Sequence, residues 1–277
     1  MTQYLPAWAP EAKDLETPSA ARMYDFYLGG SHNFAADRAQ AQRAMQVWPD
    51  LAHIARANRG FLRRSVTYLA GVGIDQFIDL GSGIPTVGNV HEIAQAINPA
   101  AVTVYVDADP VAVAYGQPML EGTGSAVMLA ADLRDPAYVL GHPDLRALID
   151  LRRPVGILLN AVLQFVPDHD APAEIVARYR EATAPGSFLA VSHATSDYQP
   201  ERSGPTAEIY NRADFRFRFR SLEQILALLD GYDLLDPGLT DMIHWRAELE
   251  EEALDTDPLG GNVARYSMYA AVGRKAQ

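Results

Sequence analysis

Apolar positions along the chain switch repeatedly between two periods. Short apolar runs rich in Val, Ile and Leu fall at 77–80, 102–106, 126–131 and 155–159, and each predicts a strand buried on both faces. Between them the spacing turns helical, with Val90, Ile93, Ala94 and Ile97 on one face and then Val111, Ala112, Ala114 and Tyr115 on another. Further runs at 188–192, 232–235 and 266–272 bring the sheet to seven strands, with a helix over Ile225, Leu226, Leu228 and Leu229. Strands alternating with helices predict an α/β domain with a mostly parallel sheet. Helix starts are marked as well: Asn89 with Glu92, and Ser221 with Gln224, read as capping boxes. Asp109 before Pro110 and Asp135 before Pro136 read as N-caps with proline at the first helical position. No internal repeat is present. The segment 1–75 has a helical pattern and predicts a cap over the carboxyl edge of the sheet, within the same domain as a core over 76–277. The Pro-, Ser- and Gly-rich stretch 196–212 predicts a long loop, and 196–220 as a whole a lid insertion.

The first strand runs into Asp79-Leu80-Gly81-Ser82-Gly83, which lays bare backbone beside whatever binds at the carboxyl end of the sheet. In a dinucleotide fingerprint a third glycine follows and already lies in the helix that holds the pyrophosphate. Here Thr86 takes that place and the cap waits until Asn89, so the helix dipole is drawn away from the glycines. That geometry suits a ligand without phosphates, such as S-adenosylmethionine (SAM). Two acids at later strand tips are left over once the caps are assigned. Asp107 ends the second strand, where doubly wound folds place the carboxylate that accepts from ribose hydroxyls. Asp132 ends the third.

Composition narrows the chemistry. A chain of 277 residues without cysteine has no disulfide, thiolate metal site, cysteine nucleophile or iron–sulfur radical chemistry. A formal charge of -12 repels a phosphate backbone, so nucleic acid is not an expected partner. Phe215-Arg216-Phe217-Arg218-Phe219-Arg220 is a local basic strip, read as phenylalanines packed inward and arginines facing water. With no long apolar run and no signal-peptide pattern in the first ten residues, a cytoplasmic protein free of membrane is expected. No metal requirement is expected either.

The fourth run leads into Asn160-Ala161-Val162-Leu163-Gln164-Phe165-Val166-Pro167, and here the chain resembles the class I SAM-dependent methyltransferases. More closely it is similar to the S-adenosyl methyltransferase family typical of actinobacteria. The resemblance rests on Ala21-Arg22-Met23-Tyr24-Asp25-Phe26-Tyr27-Leu28-Gly29-Gly30, on Asn33-Phe34-Ala35-Ala36-Asp37-Arg38, on the glycine turn through Pro85-Thr86 and Asn89-Val90-His91-Glu92, on the segment after the fourth strand, and on Asp236-Pro237-Gly238-Leu239. It implies a Rossmann-like fold whose last strand runs antiparallel, and SAM as cofactor. The cofactor contacts it implies are Asp79, Gly81, Ser82, Gly83, Thr86, Asn89, Asp107, Ala108, Asp132, Leu133, Asn160 and Ala161, with Asp132 accepting from the adenine amino group. Arg56, Asn58 and Arg59 are further candidates, since a guanidinium there could pair with the methionine carboxylate.

Tyr24, Tyr27, Asn33 and Gln164 are expected on the substrate side, and His32 and His193 are the candidate bases. Gln164 stands where relatives tend to carry histidine, and an amide cannot act as a base. Asn160-Ala161-Val162-Leu163 lacks the Asn-Pro-Pro-aromatic pattern of amide and nucleobase amino methyltransferases, so an O or N nucleophile of a small molecule is expected as acceptor. A non-catalytic SAM-binding protein and an NAD-dependent oxidoreductase are the alternatives. Oligomeric state is not legible.

Overall fold

The structure is a computed structural model that describes residues 15–85, 88–213, 215–249 and 258–276. Five strands, β1 Gln76–Leu80, β2 Val102–Asp107, β3 Ala126–Ala130, β4 Gly156–Asn160 and β5 Phe188–Ala194, run parallel in the order β3-β2-β1-β4-β5. The last strand, β8 Met268–Lys275, is antiparallel to β5, and β6 Tyr232–Leu234 pairs on its far side. The expected seven strands and antiparallel final strand are therefore present, and a two-residue strand, β7 Thr240–Asp241, also pairs with β8.

Successive side chains of a strand point to opposite faces, and here they feed two cores. Phe77, Tyr105, Leu158 and Ala190 pack in one, while Ile78, Val104, Ile157 and Leu189 pack in the other. The cap signals read in the sequence lie at the helix starts. Asn89 opens α4 (Val90–Ile97) with Glu92 accepting from its backbone N–H at 2.7 Å. Asp109 accepts from the N–H of Val111 at 2.7 Å to open α5 (Pro110–Leu120), and Asp135 from that of Tyr138 at 3.0 Å to open α6 (Pro136–Gly141).

Two expectations change. The first 75 residues do not form one cap: helix α3 (Leu51–Gly71) sends Phe61, Leu62, Val66 and Leu69 into the same core as Phe77 and Leu158, so it belongs to the body of the domain. By contrast α1 (Ala20–Leu28) and α2 (Ala35–Val47), joined by the buried Arg22–Asp37 ion pair at 2.9 Å, pack in a separate cluster through Met23, Tyr27, Ala41 and Ala44. The expected loop 196–212 contains a helix, α9 (Pro200–Asn211), despite Pro205 in its interior. It packs Tyr210 against Phe217 and buries Thr206, so tertiary burial outweighs its poor helix propensity.

Candidate functional site

The carboxyl ends of β1 to β5 open onto one cavity of about 360 Å³. At its centre is the turn after β1. Gly81 and Gly83 have φ of +71° and +65°, a region that favours glycine, and a Cβ on Gly81 would stand 2.2 Å from Val162 Cγ2. Asp107, at the tip of β2, accepts from the Gly83 N–H at 2.7 Å and the Asp109 N–H at 2.8 Å. A carboxylate has about four acceptor sites, so roughly two remain towards the cavity, enough for a ribose diol. Burial pushes the Asp107 carboxyl up to about 6 while those backbone donors pull it down.

Asp79 sits beside it on the cavity wall. Its own burial pushes it up to about 7, with Arg59 acting to lower it and Asp107 to raise it. Arg59 reaches the cavity from α3 and donates to the Gly88 carbonyl at 2.7 Å; Asn58 lines the cavity as well, whereas Arg56 is exposed on the helix surface. Arg59 thus offers a cation to a ligand carboxylate, and Asp79 a buried carboxyl, part protonated near neutral pH, that can accept from a ligand amine. At the β3 tip, Asp132 lines the cavity and accepts from the backbone N–H, Nε and Nη2 of Arg134, which also bonds Asp170 at 2.9 Å. Burial raises the Asp132 carboxyl, but the Arg134 bonds prevail and hold it below its ordinary range.

The far wall is formed by the segment after β4. Ala161, a non-glycine residue at φ 51°, turns the chain there and donates its N–H to Ser192 O at 3.0 Å. Both amide atoms of Asn160 and Oε1 of Gln164 are buried without a partner among the described residues, and both residues line the cavity. Buried polar atoms are nearly always bonded, so these orphans mark where a ligand with donors and acceptors fits.

Ser82, Ala108 and Leu133 line the cavity as expected, and so do Tyr24 and Tyr27. Asn89 does not, because it serves as the cap of α4. Thr86 lies outside the described residues. Asn33 is not in the lining; its Nδ2 donates to Asp25 at 2.8 Å and to the Gly30 carbonyl, so it shapes the loop after α1.

Neither candidate base reaches the cavity. His32 lies edge-on to Tyr115 at 4.6 Å, outside the lining. His193 is fully buried, with Arg220 Nη1 donating to its Nε2 at 2.8 Å and its Nδ1–H donating to Ala194 O at 2.8 Å. Burial pushes its pKa down to about 3, so it remains neutral and structural. The same contact corrects the reading of the basic strip. Phe217 and Phe219 do face inward and Arg216 faces water, but Arg220 is buried, where it also donates to the carbonyls of Leu163 and Val166.

The backbone N–H groups of Asn89 and His91 are taken by Glu92 and by the Tyr105 hydroxyl. The start of α4 therefore offers these amides to the protein instead of a pyrophosphate. A glycine turn, two strand-tip acids, Arg59 and the buried Asp79 carboxyl line one cavity, a set of groups that suits a nucleoside bearing an amino-acid head, the cofactor class of the Rossmann-like methyltransferases.

Comparison with known proteins places the chain within that class. Residues 6–276 match the family model described as S-adenosyl methyltransferase. A DUF574 family protein from Streptomyces avermitilis is 36% identical, with a TM-score of 0.89 over 95% of this chain and 99% of its own. A candidate methyltransferase from Thermobifida fusca is 38% identical, with a TM-score of 0.88 over 98% and 100%. The N-methyltransferase NodS from Bradyrhizobium japonicum, in complex with S-adenosyl-L-homocysteine, shares the fold alone, at 12% identity and a TM-score of 0.50 over 81% of this chain and 88% of its own. No curated protein matches significantly. The chain belongs to the S-adenosyl methyltransferase family, and it is an enzyme whose cofactor is SAM. Both the NAD-dependent and the non-catalytic alternatives give way to this assignment. Among the described residues, no helix is long and apolar enough to cross a membrane.

Proposed function

We propose that the protein methylates an oxygen or nitrogen nucleophile of a small molecule. The observation that carries this reading is the contact between Tyr27 of α1 and Tyr210 of α9, whose hydroxyls meet at 2.9 Å on the cavity wall. It ties α1 to α9 beside the strand ends, a setting that favours a compact acceptor over a polymer.

Bound SAM supplies an electrophilic sulfonium methyl, so the protein's task is to hold an acceptor in line and keep water out. In this reading Asp107 receives the ribose hydroxyls and Asp132, whose oxygens already accept four bonds from Arg134, receives the adenine amino group in exchange for one of them. Gly81 and Gly83 pass beside the methionine portion, with Arg59 meeting its carboxylate. Asn160 and Gln164 bring their unpartnered amide atoms to the junction of cofactor and acceptor.

Incubation of the protein with methyl-labelled SAM and a fractionated cell extract tests the proposal. Protein-dependent label is expected in the small-molecule fraction. Label confined to protein or nucleic acid would refute it.

A further inference from the structure

The cavity has a second half whose walls change character. Beyond Asn160 the lining is made by the rings of Tyr27, Trp48, Phe165, Tyr210, Phe217 and Phe219. Phe217 is the hub of this group. It stacks on Tyr210 at 4.8 Å and meets Phe165 and Phe219 edge-on at 5.2 and 4.9 Å, while Trp48 lies parallel to Phe219 at 5.8 Å and 17°. Pairs set both near parallel and near right angles line this half with ring faces and edges, the groups against which an aromatic guest gains most beyond area burial.

The polar groups in this half are few and neutral, and they include the Trp48 indole N–H and the Thr206 hydroxyl, both buried without a partner among the described residues. The Tyr27–Tyr210 pair has two hydroxyl protons and one mutual bond, so one O–H has no protein acceptor among the described residues. Gln164 Oε1 is a buried acceptor with no donor among the described residues. Arg59 is the cavity's arginine and stands with Asp79 at the cofactor end, and neither lysine nor histidine contributes to the described lining. A ligand carboxylate in the aromatic half would be buried without a counter-ion, which is strongly unfavourable.

We infer that the methyl acceptor is a flat, uncharged aromatic molecule, seated against Phe217 and Tyr210 and bearing one group that donates to Gln164 and one that accepts from the tyrosine pair. This deepens the proposed function and rests on it for the assignment of the cavity's two ends.

The test uses the full chain saturated with S-adenosylhomocysteine, so that nothing turns over, and three probes of one skeleton: 2-naphthol, its saturated counterpart decahydro-2-naphthol, and 2-naphthoate. Calorimetry should show 2-naphthol binding at least tenfold more tightly than either of the others. Phe217→Leu, which keeps the bulk and removes the ring, should weaken 2-naphthol at least fivefold and leave S-adenosylhomocysteine affinity within twofold. If that variant loses its fold by circular dichroism, Phe219→Leu replaces it with the same expectation. Equal affinity for the aromatic and saturated alcohols, tighter binding of the carboxylate, no binding of 2-naphthol, or a leucine variant that binds it unchanged would each overturn the inference. Failure of the wild-type protein to bind S-adenosylhomocysteine is a separate result that removes the cofactor assignment; the order of the three probes, measured without it, still decides the preference for a ring.

Discussion

Replacing Asp107 by alanine probes the cofactor site most directly. In the folded protein its carboxylate holds two backbone N–H groups, those of Gly83 and Asp109, at 2.7 and 2.8 Å, and about two acceptor sites remain for the ribose. A hydrogen bond to a charged group contributes about 1.5 to 3 kcal/mol, so the variant should bind SAM roughly ten- to over a hundredfold more weakly. S-adenosylhomocysteine has the same ribose and should lose the same factor. The acid's own titration gives a second signature. Its pKa is about 6, and the ligand's hydroxyls need the carboxylate form, so wild-type affinity should fall by up to about tenfold per pH unit below that value. In Asp107→Ala this part of the pH dependence should vanish. Calorimetric titration of wild type and variant with both ligands, from pH 5 to 8, reads all of this. A folded Asp107→Ala protein with unchanged affinity would refute the ribose assignment.

Other consequences concern buried charge. Asp79 and Asp107 both have folded pKa values above the ordinary 3.8, at about 7 and about 6. The folded protein therefore holds more protons than the unfolded chain between those limits, and stability should fall as pH rises from about 4 to about 7. For Asp79 the effect is on the order of 4 kcal/mol at most. Urea unfolding across that range should show the decline, and Asp79→Asn should flatten it; a slope unaffected by the variant would contradict the assignment. Arg220→Ala removes the donor to three buried acceptors, on Leu163, Val166 and His193, and should cost about 3 kcal/mol or more in the same measurement. His193→Gln should leave the pH profile of activity unchanged, since the native ring titrates near 3 and lies outside the cavity. An inflection near neutral pH that disappears in this variant would restore His193 as the base.

What the sequence determined by itself is local. The alternation of Phe77 and Ile78 or Tyr105 and Val104 between two cores, the caps at Asn89, Asp109 and Asp135, and the glycine turn with acids at the next two strand tips all follow from contacts within a few residues. They indicate the fold and the cofactor, and they bring Asp79, Gly81, Gly83, Asp107 and Asp132 to one cavity. Where such a residue was misassigned, a second local role had claimed it: Asn89 caps a helix, and Asn33 shapes a loop.

Tertiary structure alone decided the aromatic half of the cavity and the fate of the candidate bases. Tyr27 meets Tyr210 across 183 positions of sequence, and Arg220 turns inward because His193 and two carbonyls await it there. A histidine in a strand and an arginine in an alternating strip carry no local mark of what will face them. Whether a polar side chain is a base, a ligand contact or a sealed structural bond depends on burial and partners, and folding brings those from distant parts of the chain.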